Sequence, residues 1–148
     1  MRNSLIISLV LILFVMGCGK PKSGSKPELK LEKVNSQEIP PQSILKFTFN
    51  FVSASKPDTI FIDFAKNVLP DCQLTNIPLF FKIPDFPSGT EKGKVEIQFS
   101  NGPVQGYTDL GSPQCGDNDT LVFKFVIKDI KGNISDTVTS PKIVMHKE

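Results

Sequence analysis

Few side chains in this sequence are equipped for chemistry, and their types narrow what that chemistry could be. His146 is the one imidazole in 148 residues, so neither a triad turning on a histidine base nor a zinc site built on several histidines can be assembled. No Gly-rich phosphate loop, serine elbow or closely spaced cysteine pair is present. Oxygen chemistry remains. Two carboxylates facing one cleft suffice to hydrolyse a glycosidic bond, and Asp63 on a strand with Asp109, Asp117 or Asp119 in loops are the available groups. Gly116-Asp117-Asn118-Asp119 also clusters the hard donors that Ca²⁺ accepts. Apolar strand residues begin at Leu121, however, with no later Gly or Glu ligand, so a turn with Asx hydrogen bonds is the better reading. Asp117 and Asp119 are the calcium candidate, while no metal and no cofactor is the expectation. Lys and Arg number 17 against 15 Asp and Glu, a net charge of +2, which gives no field to draw in a polyanion. A nucleic-acid partner is not expected.

The residues that must position these groups alternate. Leu29 and Leu31 alternate with Lys30 and Glu32, and Leu45, Phe47, Phe49 and Phe51 with Lys46, Thr48 and Asn50. Ile60, Ile62 and Phe64 oppose Phe61 and Asp63; Val95, Ile97 and Phe99 alternate with Glu96 and Gln98; Leu121, Phe123, Phe125 and Ile127 alternate with Val122, Lys124, Val126 and Lys128. A period of two places each set on one face of a strand. Leu79 to Ile83 and Pro141 to Met145 add two shorter runs, and no window shows helical spacing. Between the runs lie Pro40-Pro41, Lys56-Pro57-Asp58, Pro84-Asp85-Phe86-Pro87-Ser88-Gly89, Asn101-Gly102-Pro103 and Lys131-Gly132-Asn133, all of them turn chemistry.

About seven short strands, each polar on one face, must bury the other face against a second sheet. The expectation is all-β: an antiparallel β-sandwich of immunoglobulin-like type, with a transthyretin-like sandwich or a small jelly roll as alternatives. There is no Trp for a buried inter-sheet position, and Tyr107 stands well before the last long run, so the landmarks of antibody domains are missing.

The chain opens Met1-Arg2-Asn3-Ser4, runs apolar from Leu5 to Met16 except for Ser8, and then reads Gly17-Cys18. As a helix that run spans about 18 Å against a hydrocarbon core of about 30 Å, too short to cross and right for the core of a signal peptide. Val15-Met16-Gly17-Cys18 resembles a bacterial lipobox. The resemblance implies cleavage before Cys18, a thioether-linked diacylglycerol on its sulfur and acylation of the new amino group. Acyl chains hold a bilayer at about 0.8 kcal/mol per buried CH₂, and two or more hold it stably. Residues 1–17 then form a removed signal peptide, 18–28 a lipidated Cys and flexible tether, and 29–148 the sandwich domain. Gly19 stands where an Asp would resemble an inner-membrane retention signal, so the expected address is the bacterial outer membrane, with the lipid bilayer as first partner.

Export puts Cys72 and Cys115 in an oxidising compartment, where an even pair forms a disulfide. Closing the loop between them would stabilise by about 4 kcal/mol on the chain-entropy model. Asp58-Thr59-Ile60, Asp119-Thr120-Leu121 and Asp136-Thr137-Val138 resemble the Asp-Thr-aliphatic acceptor of Bacteroidota periplasmic O-glycosylation, making Thr59, Thr120 and Thr137 sugar-acceptor candidates. A turn Asp before a β-branched strand opener yields the same triplet. The stretch from Phe123 to Val138, with Pro84-Asp85-Phe86-Pro87 upstream, is similar to small Bacteroidota lipoproteins with an Ig-like domain, and this similarity brings no activity with it.

The expectation is therefore a membrane-anchored, non-catalytic module that binds or scaffolds an envelope protein or glycan. Phe80 or Phe86, if exposed, would offer an aromatic platform, and a sheet edge would offer strand addition. The alternative is a carboxylate-based hydrolase of envelope glycans, which needs two acidic side chains about 5 to 10 Å apart in one cleft.

Overall fold

Strands form where the alternation demands them. The computed structural model describes residues 26–66, 79–84, 92–111 and 118–147. Its strands are β1 (Glu28–Val34), β2 (Glu38–Ile39), β3 (Ile44–Val52), β4 (Pro57–Lys66), β5 (Leu79–Lys82), β6 (Lys92–Ser100), β7 (Thr108–Asp109), β8 (Asp119–Asp129), β9 (Val138–Thr139) and β10 (Ile143–Met145). They make two sheets, one ordered β1-β3-β6-β7 and the other β2-β10-β8-β4-β5, with β9 also on β8. No helix occurs among the described residues.

The two sheets meet through phenylalanine. Leu45, Phe47, Phe49 and Phe51 of β3 and Leu121, Phe123, Phe125 and Ile127 of β8 are at most 1% exposed. The Phe47 ring lies 5.0 Å from both Phe123 and Phe125, Phe49 lies 4.6 Å from Phe125, and Phe99 of β6 lies 5.8 Å from Phe123. Such ring pairs contribute about 0.5–1.5 kcal/mol each beyond the area they bury. Ile60 and Ile62 of β4, Ile97 of β6, and Ile143 and Met145 of β10 join them, with Ile39, Ile83 and Leu110. The molecule is a β-sandwich. Gly93, opposite Phe51 in the β3–β6 ladder, has a steric reason to be glycine, because a Cβ there would stand 2.9 Å from the Phe51 ring.

The sandwich is not wholly antiparallel, as the alternation alone suggested, and it has ten strands among the described residues rather than about seven. β2 runs parallel to β10, and β7 runs parallel to β6. The unforeseen strands β2, β7 and β9 are two residues each, too short to display a period of two. β1 also opens at Glu28 behind a buried Pro27, so the sheet begins one residue inside the stretch expected to be tether.

One flank of β8 is covered along its length by β4. The other is covered piecemeal: by β10 at Leu121, Thr120 and Asp119, by β9 at Lys124 and Phe125, and by a single bridge from Ile134 to Lys128. Where the ladder is interrupted, two buried serines replace it. The Phe123 N–H donates to Ser140 Oγ at 3.0 Å and the Ile127 N–H to Ser135 Oγ at 3.0 Å. Each serine N–H in turn donates to the carbonyl of the same β8 residue at 2.9 Å.

Asn101 does comparable work where the two sheets come together. Its buried side-chain amide donates to the carbonyls of Ile39 and His146, both at 2.9 Å, while its backbone N–H donates to Ser43 and its carbonyl accepts from Gln42. One residue after β6 of the first sheet thus holds the ends of β2 and β10 of the second.

Phe47→Ala should lower unfolding free energy by about 3–5 kcal/mol, whereas Phe80→Ala on the outer surface should change it by about 0.5 kcal/mol or less, both read from urea denaturation. Ser140→Ala and Ser135→Ala should each cost about 1–3 kcal/mol in the same assay, because each strands a buried β8 N–H.

Candidate binding face

Alternation along β5, β4 and β8 puts Phe81, Ile60, Ile62, Phe123, Phe125 and Ile127 inward and leaves every second residue on the outer face of the sheet. The register then aligns three of these across the strands. Phe61 of β4 lies opposite Phe80 of β5 on one side and Val126 of β8 on the other. An outward residue on a three-strand surface is ordinarily polar, yet Phe80 is 70% exposed and Phe61 38%. With Leu79, Ile62, Lys124 and Thr137 these three residues line a depression of about 420 Å³.

The rows beside it are charged. Thr59 lies opposite Lys82 on β5 and Lys128 on β8. The Lys82 ammonium donates to Asp58 Oδ1 at 2.9 Å and Oδ2 at 3.2 Å, and the Thr59 hydroxyl donates to Oδ2 at 2.8 Å. These bonds, that from Lys82 foremost, hold the Asp58 carboxyl below the usual carboxylate range. Past the apolar row, Lys124 is exposed and opposite Asp63 in register. A second opening, of about 330 Å³, lies between β5 and the β6–β7 pair, with Phe81, Ile83, Ile97 and Tyr107 among its lining residues.

Of the carboxylates singled out in the sequence, Asp109 does structural work. Asp109 Oδ1 accepts the N–H groups of Gly102 at 3.1 Å and Gly111 at 2.9 Å, fixing a reversal in which both glycines have positive φ. Asp119 is buried, opposite Met145 in the β8–β10 ladder of the other sheet. Asp63 lies in β4. Among the described residues no group of three or more His, Cys, Asp or Glu side chains could hold a metal ion. Cys18, Cys72, Cys115, Phe86 and Asp117 lie outside the described residues. Of the three Asp-Thr-aliphatic threonines, Thr59 is buried, Thr120 is half-buried within β8, and Thr137 is exposed at the rim of the depression.

His146 follows directly after β10. Its N–H donates to Ile39, its Nε2 sits 2.6 Å from Glu38 Oε2, and its Nδ1 lies 3.2 Å from Asn118 Nδ2. Asn118 Oδ1 accepts the Lys147 N–H, which turns the Asn118 amide nitrogen toward the ring. Nδ1 therefore faces the Asn118 amide and Nε2 faces the Glu38 carboxylate. The imidazole fastens the end of the sheet.

Sequence reasoning passed over Asp129, the most heavily bonded carboxylate described. It is 1% exposed. Its Oδ1 accepts the N–H groups of Lys131 and Asn133, each at 2.9 Å, and its Oδ2 accepts the Asn133 amide at 2.9 Å and the Ser55 hydroxyl. Burial pushes its carboxyl upward, but the bonds from Ser55, Asn133 and Lys131 outweigh that and hold it below its ordinary value. The sequence signal was Asp129-Ile130-Lys131-Gly132-Asn133, an Asp opening a turn whose Gly132 has φ 87°. The link to Ser55 crosses from another loop, so local reading could not have found it.

No family model and no curated protein matches this chain. Among solved structures it is similar to the sporulation control protein Spo0M from Bacillus subtilis, at 9% identity and a TM-score of 0.45, over 84% of this chain and 51% of that one. It is also similar to a Niemann-Pick type C2 protein from the Japanese carpenter ant, at 14% identity and a TM-score of 0.40, over 84% of this chain and 99% of that one. The chain thus spans about half the length of the Spo0M structure.

Asp129→Asn should lower stability at neutral pH by about 2 kcal/mol, since charge-assisted bonds become neutral and one acceptor oxygen becomes a donor. A carboxyl depressed by folding contributes fully above its unfolded value of about 3.9 and loses that contribution as pH falls through the lower folded value. Thermal unfolding between pH 7 and pH 2 should therefore show a flatter acid limb in the variant than in the parent.

Proposed function

We propose that this chain is a lipid-anchored, non-catalytic binding module of a bacterial envelope: an immunoglobulin-like β-sandwich held to the outer membrane through acylated Cys18 and meeting its ligand on the outer face of the larger sheet. The observation that carries the binding half is the Phe61–Phe80 pair, two aromatic rings left in solvent by a fold that fully buries Phe47, Phe49, Phe51, Phe99, Phe123 and Phe125. Exposed apolar patches of this kind mark binding sites. The anchoring half rests on Val15-Met16-Gly17-Cys18 and the apolar run before it. In this reading Cys72 and Cys115 pair after export, and Thr137, the exposed one of the three threonines, is the sugar acceptor.

Expression of the full chain in a bacterium that processes lipoproteins tests the anchor. Intact-mass measurement of the membrane fraction should give a product beginning at Cys18 with added acyl mass, and Cys18→Ser should accumulate uncleaved. A parent protein that keeps residues 1–17, or carries an unmodified sulfhydryl at Cys18, would overturn it.

A further inference from the structure

We propose that the depression over Phe61 and Phe80 binds a small monoanionic amphiphile, a single apolar chain ending in a carboxylate. The inference rests on the reading of this face as a binding surface and names the chemistry of what it takes. Its floor and walls are hydrocarbon, from Phe61, Leu79, Phe80 and Val126, and at about 420 Å³ it falls within the range of small-molecule pockets, about 300–1,000 Å³. At the rim, Lys124 makes no ion pair among the described residues and Thr137 supplies a hydroxyl. These are the two polar groups in the lining, so a ligand's charged end has one place to go.

Charge selects among occupants. Lys82 is held by Asp58, and Lys124 is the one charged side chain lining the depression, which suits a single negative group. A second copy docked on this face about a two-fold axis would add a second Lys124 and no carboxylate from its own depression to meet the first. A concave floor flanked by a projecting Phe80 ring suits one chain lying in it better than a flat bilayer surface.

The test uses the full chain in zwitterionic nanodiscs, with a photoreactive, alkyne-tagged dodecanoate as probe and the matching alcohol and trimethylammonium compounds beside it. Light-induced labelling by the carboxylate should saturate, be displaced by plain dodecanoate, and map by peptide mass spectrometry to β4, β5 and β8 around Phe61, Phe80 and Val126. Phe80→Asp, at an exposed position, should weaken labelling by about tenfold. Lys124→Glu should weaken carboxylate labelling by about threefold and leave the alcohol unchanged. Equal labelling by all three head groups, or labelling indifferent to Phe80→Asp, overturns the inference. A benzoylphenylalanine at position 80 separates the two readings. If it captures an envelope protein while the carboxylate fails to label, the binding face stands and the amphiphile falls; if neither engages this face, both fall.

Discussion

Everything in this molecule depends on four phenylalanines from two strands that close on one another. Phe47 and Phe49 of β3 reach across to Phe123 and Phe125 of β8 at ring separations of 4.6 to 5.0 Å, and both strands are central in their sheets. Neither sheet could keep its apolar face in water, so the ring contacts and the two-layer architecture form together. The inward half of the alternation is committed to that seam. The outward half is free to be polar, and across most of the surface it is, with Lys46 paired to Glu96 and Lys94 to Glu32 on the smaller sheet. Phe61 and Phe80 depart from this pattern, and their exposure is informative because the core does not need them.

How much of this could be read from the chain follows the length of its elements. The long strands declared themselves: Leu45 through Phe51 alternate without a break, Leu121 through Ile127 carry a large apolar residue at every second position, and the structure buries the inward members as that pattern requires. The two-residue strands had no pattern to show. Their places are set by partners distant in sequence, such as the Ile39 and His146 carbonyls gathered by Asn101, and such partners are invisible to local periodicity. The same limit applies to the binding face. Phe61 could be placed on the outer side of its strand from sequence, but its alignment with Phe80 and Val126 depends on register, which the pairing of β5 and β8 with β4 supplies.

Polar groups finish what the aromatic seam begins. Asn101, Asp129, Ser135 and Ser140 are all buried, and each has side-chain hydrogen bonds to groups that the ladders leave unmet. They stand at strand ends and interruptions, where the regular pairing of a sheet runs out. A satisfied polar clamp at such a point defines one conformation more sharply than further hydrocarbon would, since its donors and acceptors fit in one arrangement only.

The patched flank of β8 has a dynamic consequence. A single long neighbour would have to separate as a unit, whereas β9, β10 and the Ile134 bridge are distinct short contacts joined by serine-bonded corners. Each can detach while the others stay closed. Amide exchange with deuterated solvent should then proceed in steps along that border, from segment to segment, while the amides shared with β4 exchange only when the whole sandwich opens. The protein has one continuous wall and one hinged in sections.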